Sequence, residues 1–117
     1  MTEPRIYSMP FAKIYPLYQQ KLAKKGRSTA ELNQAITWLT GYDHTMLEQQ
    51  LATTISVQDF FTQMPRLNPR ASEITGTICG VRVETIAAPT MQRIRYLDKL
   101  VDELAKGKPL RQVLREE

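Results

Sequence analysis

Cysteine and histidine are almost missing from these 117 residues, with Cys79 and His44 each present as a single copy. One thiol excludes an internal disulfide, and with a lone imidazole it leaves no ligand spacing for a metal site, so stability has to come from packing. Glycine is scarce too, and Gly76 and Gly80 match neither the dinucleotide fingerprint nor the P-loop, which argues against nucleotide chemistry. No stretch approaches the roughly 18 apolar residues that span a bilayer. The opening Met1-Thr2-Glu3-Pro4-Arg5 lacks the apolar core of a signal peptide. Together these absences predict a cytoplasmic protein that uses no membrane, no metal and no cofactor. Repeats, low-complexity tracts and linkers are lacking as well, which predicts a single domain over residues 1–117.

What is present is an ordinary globular balance, 42% hydrophobic and 24% charged, enough to build a core. The dominant pattern is helical. Ser8 and Pro10 suit a helix start, and Phe11, Ile14, Tyr15, Tyr18 and Leu22 recur at three-and-four spacing until Lys24-Lys25-Gly26 closes the segment. Pro16 would cost about 3 kcal/mol inside a regular helix, so the pattern predicts either a start near Tyr15 or a kinked first turn. Ser28 and Glu31 form a capping box, and the stripe Leu32, Ala35, Ile36 and Leu39 ends at Gly41. The short connection predicts an antiparallel hairpin of these two helices. A second box, Thr45 with Glu48, leads into Met46, Leu47 and Leu51. Ser56 with Asp59 opens a further short helix carrying Val57, Phe60, Phe61 and Met64.

After Pro65 and Asn68-Pro69 the texture changes. Residues 74–86 alternate β-branched and polar side chains on either side of Gly80, predicting a bent strand or small hairpin that needs helices to cover it. Pro89 then suits the first turn of a long helix running to Lys106 and Gly107. Along it Ile94, Leu97, Leu100, Val101, Leu104 and Ala105 share one face, while Arg95, Asp98, Lys99, Asp102 and Glu103 occupy the other. Pro109 restarts a short helix with Leu110, Val113 and Leu114. The expected fold is mainly α (α+β): a helical hairpin plus a long C-terminal helix packed around a short β segment near residues 74–86.

Charge is distributed unevenly. The net charge of +4 conceals +5 over residues 1–30, where six basic side chains meet only Glu3, and −1 over the remainder. Lys21, Lys24, Lys25 and Arg27 therefore form a candidate polyanion patch at the first helical corner, with nucleic acid as one partner, although a solvated helix face is the commoner reason for such lysines.

Three further groupings could carry chemistry. Cys79, with Arg82 nearby to favour thiolate, could be joined by His44 and Asp43 in the single nucleophilic site this chain could build, although a cysteine in a β segment is more often a small buried residue. Arg93 falls at the edge of the apolar face of its helix and needs a partner, with Glu84 the structural candidate and an anionic ligand the functional one. Trp38, Tyr42 and Tyr96 lie at helix margins, where aromatics make either core or a surface for a protein partner or second copy.

Three stretches carry a resemblance: Lys25-Gly26-Arg27 through Trp38-Leu39-Thr40-Gly41-Tyr42-Asp43; Ile74-Thr75-Gly76 with Cys79-Gly80-Val81-Arg82-Val83-Glu84; and Met91 through Lys108. With Arg5-Ile6-Tyr7 and Tyr15-Pro16-Leu17-Tyr18, they resemble the bacterial domain of unknown function family twenty-two hundred over nearly the whole chain. The resemblance implies a stand-alone bacterial protein and brings no reaction, cofactor or site residues with it. The function expected from the residues is a non-catalytic binding or protein-interaction module with a basic N-terminal patch. The rival is a small-molecule binder or enzyme using Cys79, Arg82 and Arg93.

Overall fold

The structure is a computed structural model and describes residues 4–78 and 80–115. Among the described residues six α-helices succeed one another: α1 (Phe11–Ala23), α2 (Thr29–Thr40), α3 (His44–Leu51), α4 (Val57–Thr62), α5 (Pro89–Ala105) and α6 (Leu110–Val113). Three 3-10 turns, at Arg5–Ser8, Pro69–Glu73 and Val83–Thr85, and one antiparallel hairpin complete it. The architecture is the mainly α, α+β arrangement expected, and buried residues from all six helices join one hydrophobic cluster.

Helix α1 starts at Phe11 and continues past Pro16 to Ala23, so the start near Tyr15 does not occur. Pro16 sits on the exposed side, where solvent can reach the carbonyl that its missing N–H would have satisfied. Burial of Phe11, Ile14, Tyr15 and Leu22 on the other side offsets the cost. The Ser8 hydroxyl does not cap the helix; it donates to the Arg5 carbonyl. The free N–H of Phe11 is taken instead by the Ile55 carbonyl at 2.9 Å, and Val57 N–H donates to Met9 at 2.8 Å. These two bonds tie the start of α1 to the start of α4.

The capping box of α2 forms as the sequence predicts, with the Ser28 hydroxyl accepting from Glu31 N–H and the Glu31 carboxylate accepting from Ser28 N–H. Its far end closes at Gly41, φ +79°, where a Cβ would lie 2.9 Å from the Arg66 backbone N and O. That crossing is tight because residues 66–68 satisfy the last carbonyls of α2: Arg66 N–H donates to Thr40 O, Asn68 N–H to Leu39 O, and the Asn68 side chain to Trp38 O at 3.1 Å. The left-handed turn also throws Tyr42 back into the core. In α3 the cap is Asp43, whose carboxylate accepts from Met46 N–H at 2.8 Å, so the helix starts at His44 and the Thr45–Glu48 box does not form. Ser56 caps α4 as expected.

The β segment is far shorter than the alternation over 74–86 suggests. Strand β1 (Thr77–Ile78) pairs with β2 (Val81–Arg82), and Val83–Thr85 immediately coils into a 3-10 turn. Ile74 and Val83 are buried beneath this hairpin, while the Glu84 carboxylate turns back to accept from Gly76 N–H. With so few ladder bonds, packing on α5 holds the element in place. In α5, Ile94, Leu97, Leu100, Val101 and Leu104 are buried as the wheel predicts, but Tyr96 and Glu103 are buried too. Glu103 belongs to the core side because Arg115, beyond α6, folds over it with a two-pronged contact at 2.7 and 3.0 Å.

Candidate anion-binding site

Helices α1 and α2 are antiparallel, as Tyr15 donating to Asn33 and Gln19 to Thr29 demonstrate. Helices α1 and α5 are parallel. Tyr18 donates to Asp98 at 2.6 Å, and one turn further along both helices Lys21 meets Asp102 at 3.7 Å. Their C-termini consequently finish at the same end of the molecule.

Both helices finish alike. Gly26 N–H donates to Ala23 O and Arg27 N–H to Leu22 O; Gly107 N–H donates to Leu104 O and Lys108 N–H to Glu103 O. These are the paired bonds of a Schellman turn, with Gly26 (φ +74°) and Gly107 (φ +92°) supplying the left-handed residue. Lysines flank both turns, and Lys24, Lys25, Lys106 and Lys108 are all exposed.

Asp102 lies between the two helices and meets three ammonium groups: Lys106 at 3.0 Å, Lys21 at 3.7 Å and Lys99 at 4.0 Å. Burial alone would raise its carboxyl pKa, but the hydrogen bond and charge of Lys106, together with Lys21 and Lys99, outweigh burial and hold it below the usual carboxylate range. Lys99 is the fixed member, its side chain 13% exposed and its ammonium packed against Gly76, where a Cβ would sit 3.3 Å away. The two helix ends together offset about one unit of positive charge. Six lysines (21, 24, 25, 99, 106 and 108) against Asp102 and those dipoles leave a surplus of about four charges. Neighbouring cations do not add to it. Arg27 is paired with Glu31 at 2.7 Å, Arg95 with Asp98 at 2.9 Å, and Arg115 with Glu103.

The structure thus rearranges the basic patch read from the sequence. Lys21 is shared with Asp102, Arg27 is paired, and Lys24 and Lys25 are exposed at the corner. Lys99, Lys106 and Lys108 come from the other end of the sequence. Sequence reasoning missed them because nothing in the periodicity says that α1 and α5 lie parallel; their clustering before and after Gly107 was the available signal.

The other predicted groupings come apart. Tyr42 is 3% exposed, its hydroxyl donates to Phe60 O at 2.7 Å, and burial pushes its pKa up to about 12. Tyr96 is 5% exposed, its pKa raised by burial and partly lowered by the Arg93 charge. Trp38 is partly buried against the core. An aromatic partner surface made of these three rings is therefore overturned: Tyr42 and Tyr96 are core residues. Arg93 is half-buried and not paired with Glu84, which is occupied by the hairpin backbone. Arg82 is exposed on β2. Cys79 lies outside the described residues. Its suggested partners are separately engaged, since Asp43 caps α3 and His44 is exposed in its first turn. Among the described residues, no group of three His, Cys, Asp or Glu could hold a metal, and no helix is long and apolar enough to cross a membrane.

Residues 5–115 match the sequence profile of DUF2200, described as uncharacterized protein conserved in bacteria. The chain belongs to this family. The DUF2200 chain is also similar to the crystal structure of uncharacterized protein SP1917, with 44% identity and a TM-score of 0.92 over 97% of this chain and 93% of that one. No curated protein matches it.

Proposed function

We propose that this DUF2200 protein is a non-catalytic, cytoplasmic binding module whose lysine-rich end takes the phosphate backbone of a nucleic acid without reading its bases. The supporting observation is the convergence of lysines from α1 and α5 on Asp102, with cationic charge exceeding what that carboxylate and the helix dipoles neutralise. Lysines act as point charges and suit a chain of tetrahedral phosphates presented in varied geometry. A protein partner would favour an interface with an apolar or aromatic centre. Leu17 and Val81, the large apolar side chains exposed among the described residues, lie on separate elements, and Tyr42 and Tyr96 are buried.

The test is fluorescence anisotropy with a labelled single-stranded oligonucleotide at about 50 and 200 mM salt. Binding in the micromolar range that falls steeply with salt is the expected result. Lys24→Glu with Lys25→Glu should abolish it, because these exposed lysines carry no ion pair among the described residues. No binding at about 100 µM protein and low salt would remove this reading.

A further inference from the structure

The placement of Asp102 goes further than a cationic patch requires. Its Oδ2 accepts Lys106 at 3.0 Å and its Oδ1 faces Lys21 at 3.7 Å, so an anion belonging to the protein already occupies the meeting point of the lysines. We infer that Asp102 is an internal competitor for the ligand, a carboxylate that stands where an incoming phosphate must sit and thereby sets the affinity and salt sensitivity of the site. This rests on the phosphate-binding reading above and names the residue that regulates it.

The three lysines are unequal, and the inequality fits exchange. Lys21 and Lys106 have side chains 46% and 65% exposed, whereas Lys99 is held at 13% against the hairpin. The two exposed ammonium groups ride on flexible stems with three rotatable donors, so each can leave a carboxylate for a phosphate oxygen at little geometric cost. Lys99 stays beneath Asp102 and keeps it from being left as a buried unpaired charge. Binding then transfers Lys21 and Lys106 from the internal anion to the external one. The ligand gains only the difference between the two anions, which keeps attachment weak and reversible.

Two variants in the same anisotropy titration test this. Asp102→Asn removes the internal charge while keeping an oxygen that accepts from Lys106. Asp59→Asn makes the same change of net charge on α4, near the start of α1, about 20 Å from the lysine end by the length of a 13-residue helix. Asp102→Asn is expected to bind the oligonucleotide about tenfold tighter than wild type, with a salt slope steeper by one to two released ions, while Asp59→Asn changes affinity less than twofold. Thermal melts establish that both variants are folded. If both tighten binding equally, or Asp102→Asn weakens it, the competitor role is overturned and the binding reading survives. Should neither wild type nor Asp102→Asn bind, both fall together.

Discussion

At its first residue α1 is held by close packing: the Phe11 ring stacks on Phe60 at 3.8 Å with planes 4° apart, Phe61 meets Phe11 edge-on, and Tyr42 leans on Phe60 at 4.8 Å. Backbone bonds to Ile55 and Met9 brace the same corner. At its thirteenth and last residue the same helix ends among lysines that outnumber their carboxylate partner. The aromatic end has each ring matched to a neighbour and the buried Tyr42 hydroxyl matched to a carbonyl. The charged end has partners in deficit. The difference teaches where to look for function: groups already satisfied explain the fold, and an unbalanced excess asks for something from outside.

The comparison can be broken first at the aromatic end. Phe60→Ala is expected to cost about 3–5 kcal/mol in denaturant unfolding, because it removes the one ring that packs against both Phe11 and Tyr42 and leaves a cavity. Arg115→Ala should cost a similar amount, about 3–5 kcal/mol, by leaving Glu103 with its side chain only 6% exposed and unpaired. Replacing both with Arg115→Met and Glu103→Leu should recover most of that loss. Tyr42→Phe deletes one buried hydrogen bond and should cost about 1–3 kcal/mol, since the Phe60 carbonyl loses its donor. At the charged end Lys24→Ala and Lys25→Ala should each shift stability by no more than about 0.5 kcal/mol. If they cost as much as Phe60→Ala, the contrast between the two ends is false.

Titration sharpens the same contrast in opposite directions. Asp102 has a lowered folded-state pKa, so its contribution is complete above the unfolded value near 3.8 and is lost as pH falls through the folded value. Acid melts of wild type should therefore lose stability below about pH 4 more than melts of Asp102→Asn. Tyr42 has a raised pKa, so its contribution is complete below the unfolded value of 10.0 and is lost as pH rises toward about 12. Ultraviolet titration should find a phenol that ionises near pH 12, and Tyr42→Phe should remove that step.

Local rules carried much of the fold in the sequence. Ser28 with Glu31, Ser56 with Asp59, Pro89 and Gly107 each mark a helix boundary by chemistry that acts within one turn, and each boundary lies where that chemistry places it. The misses share a cause. Asp43 and Thr45 are both competent caps, and only the path of the chain after Gly41 selects the first. Glu103 reads as solvent-facing until Arg115 covers it from twelve residues away. Pro16 reads as a helix breaker until burial on the opposite side outweighs it. Half of the lysine site was visible, because Lys21, Lys24 and Lys25 are neighbours in the chain. The other half depends on α5 lying alongside α1, a tertiary fact that no short-range pattern encodes.

That alignment has a kinetic consequence. Tyr18 and Asp98 stand 80 residues apart, so pairing the first long helix with the last closes a loop containing most of the chain. Loop closure of that span is entropically uphill until the intervening contacts form, and it slows folding relative to a bundle of sequential hairpins. During synthesis the lysines of α1 emerge well before α5, and the carboxylate that restrains them arrives only with that later helix. A ribosome-bound fragment ending before Asp102 would therefore expose cations without their restraint.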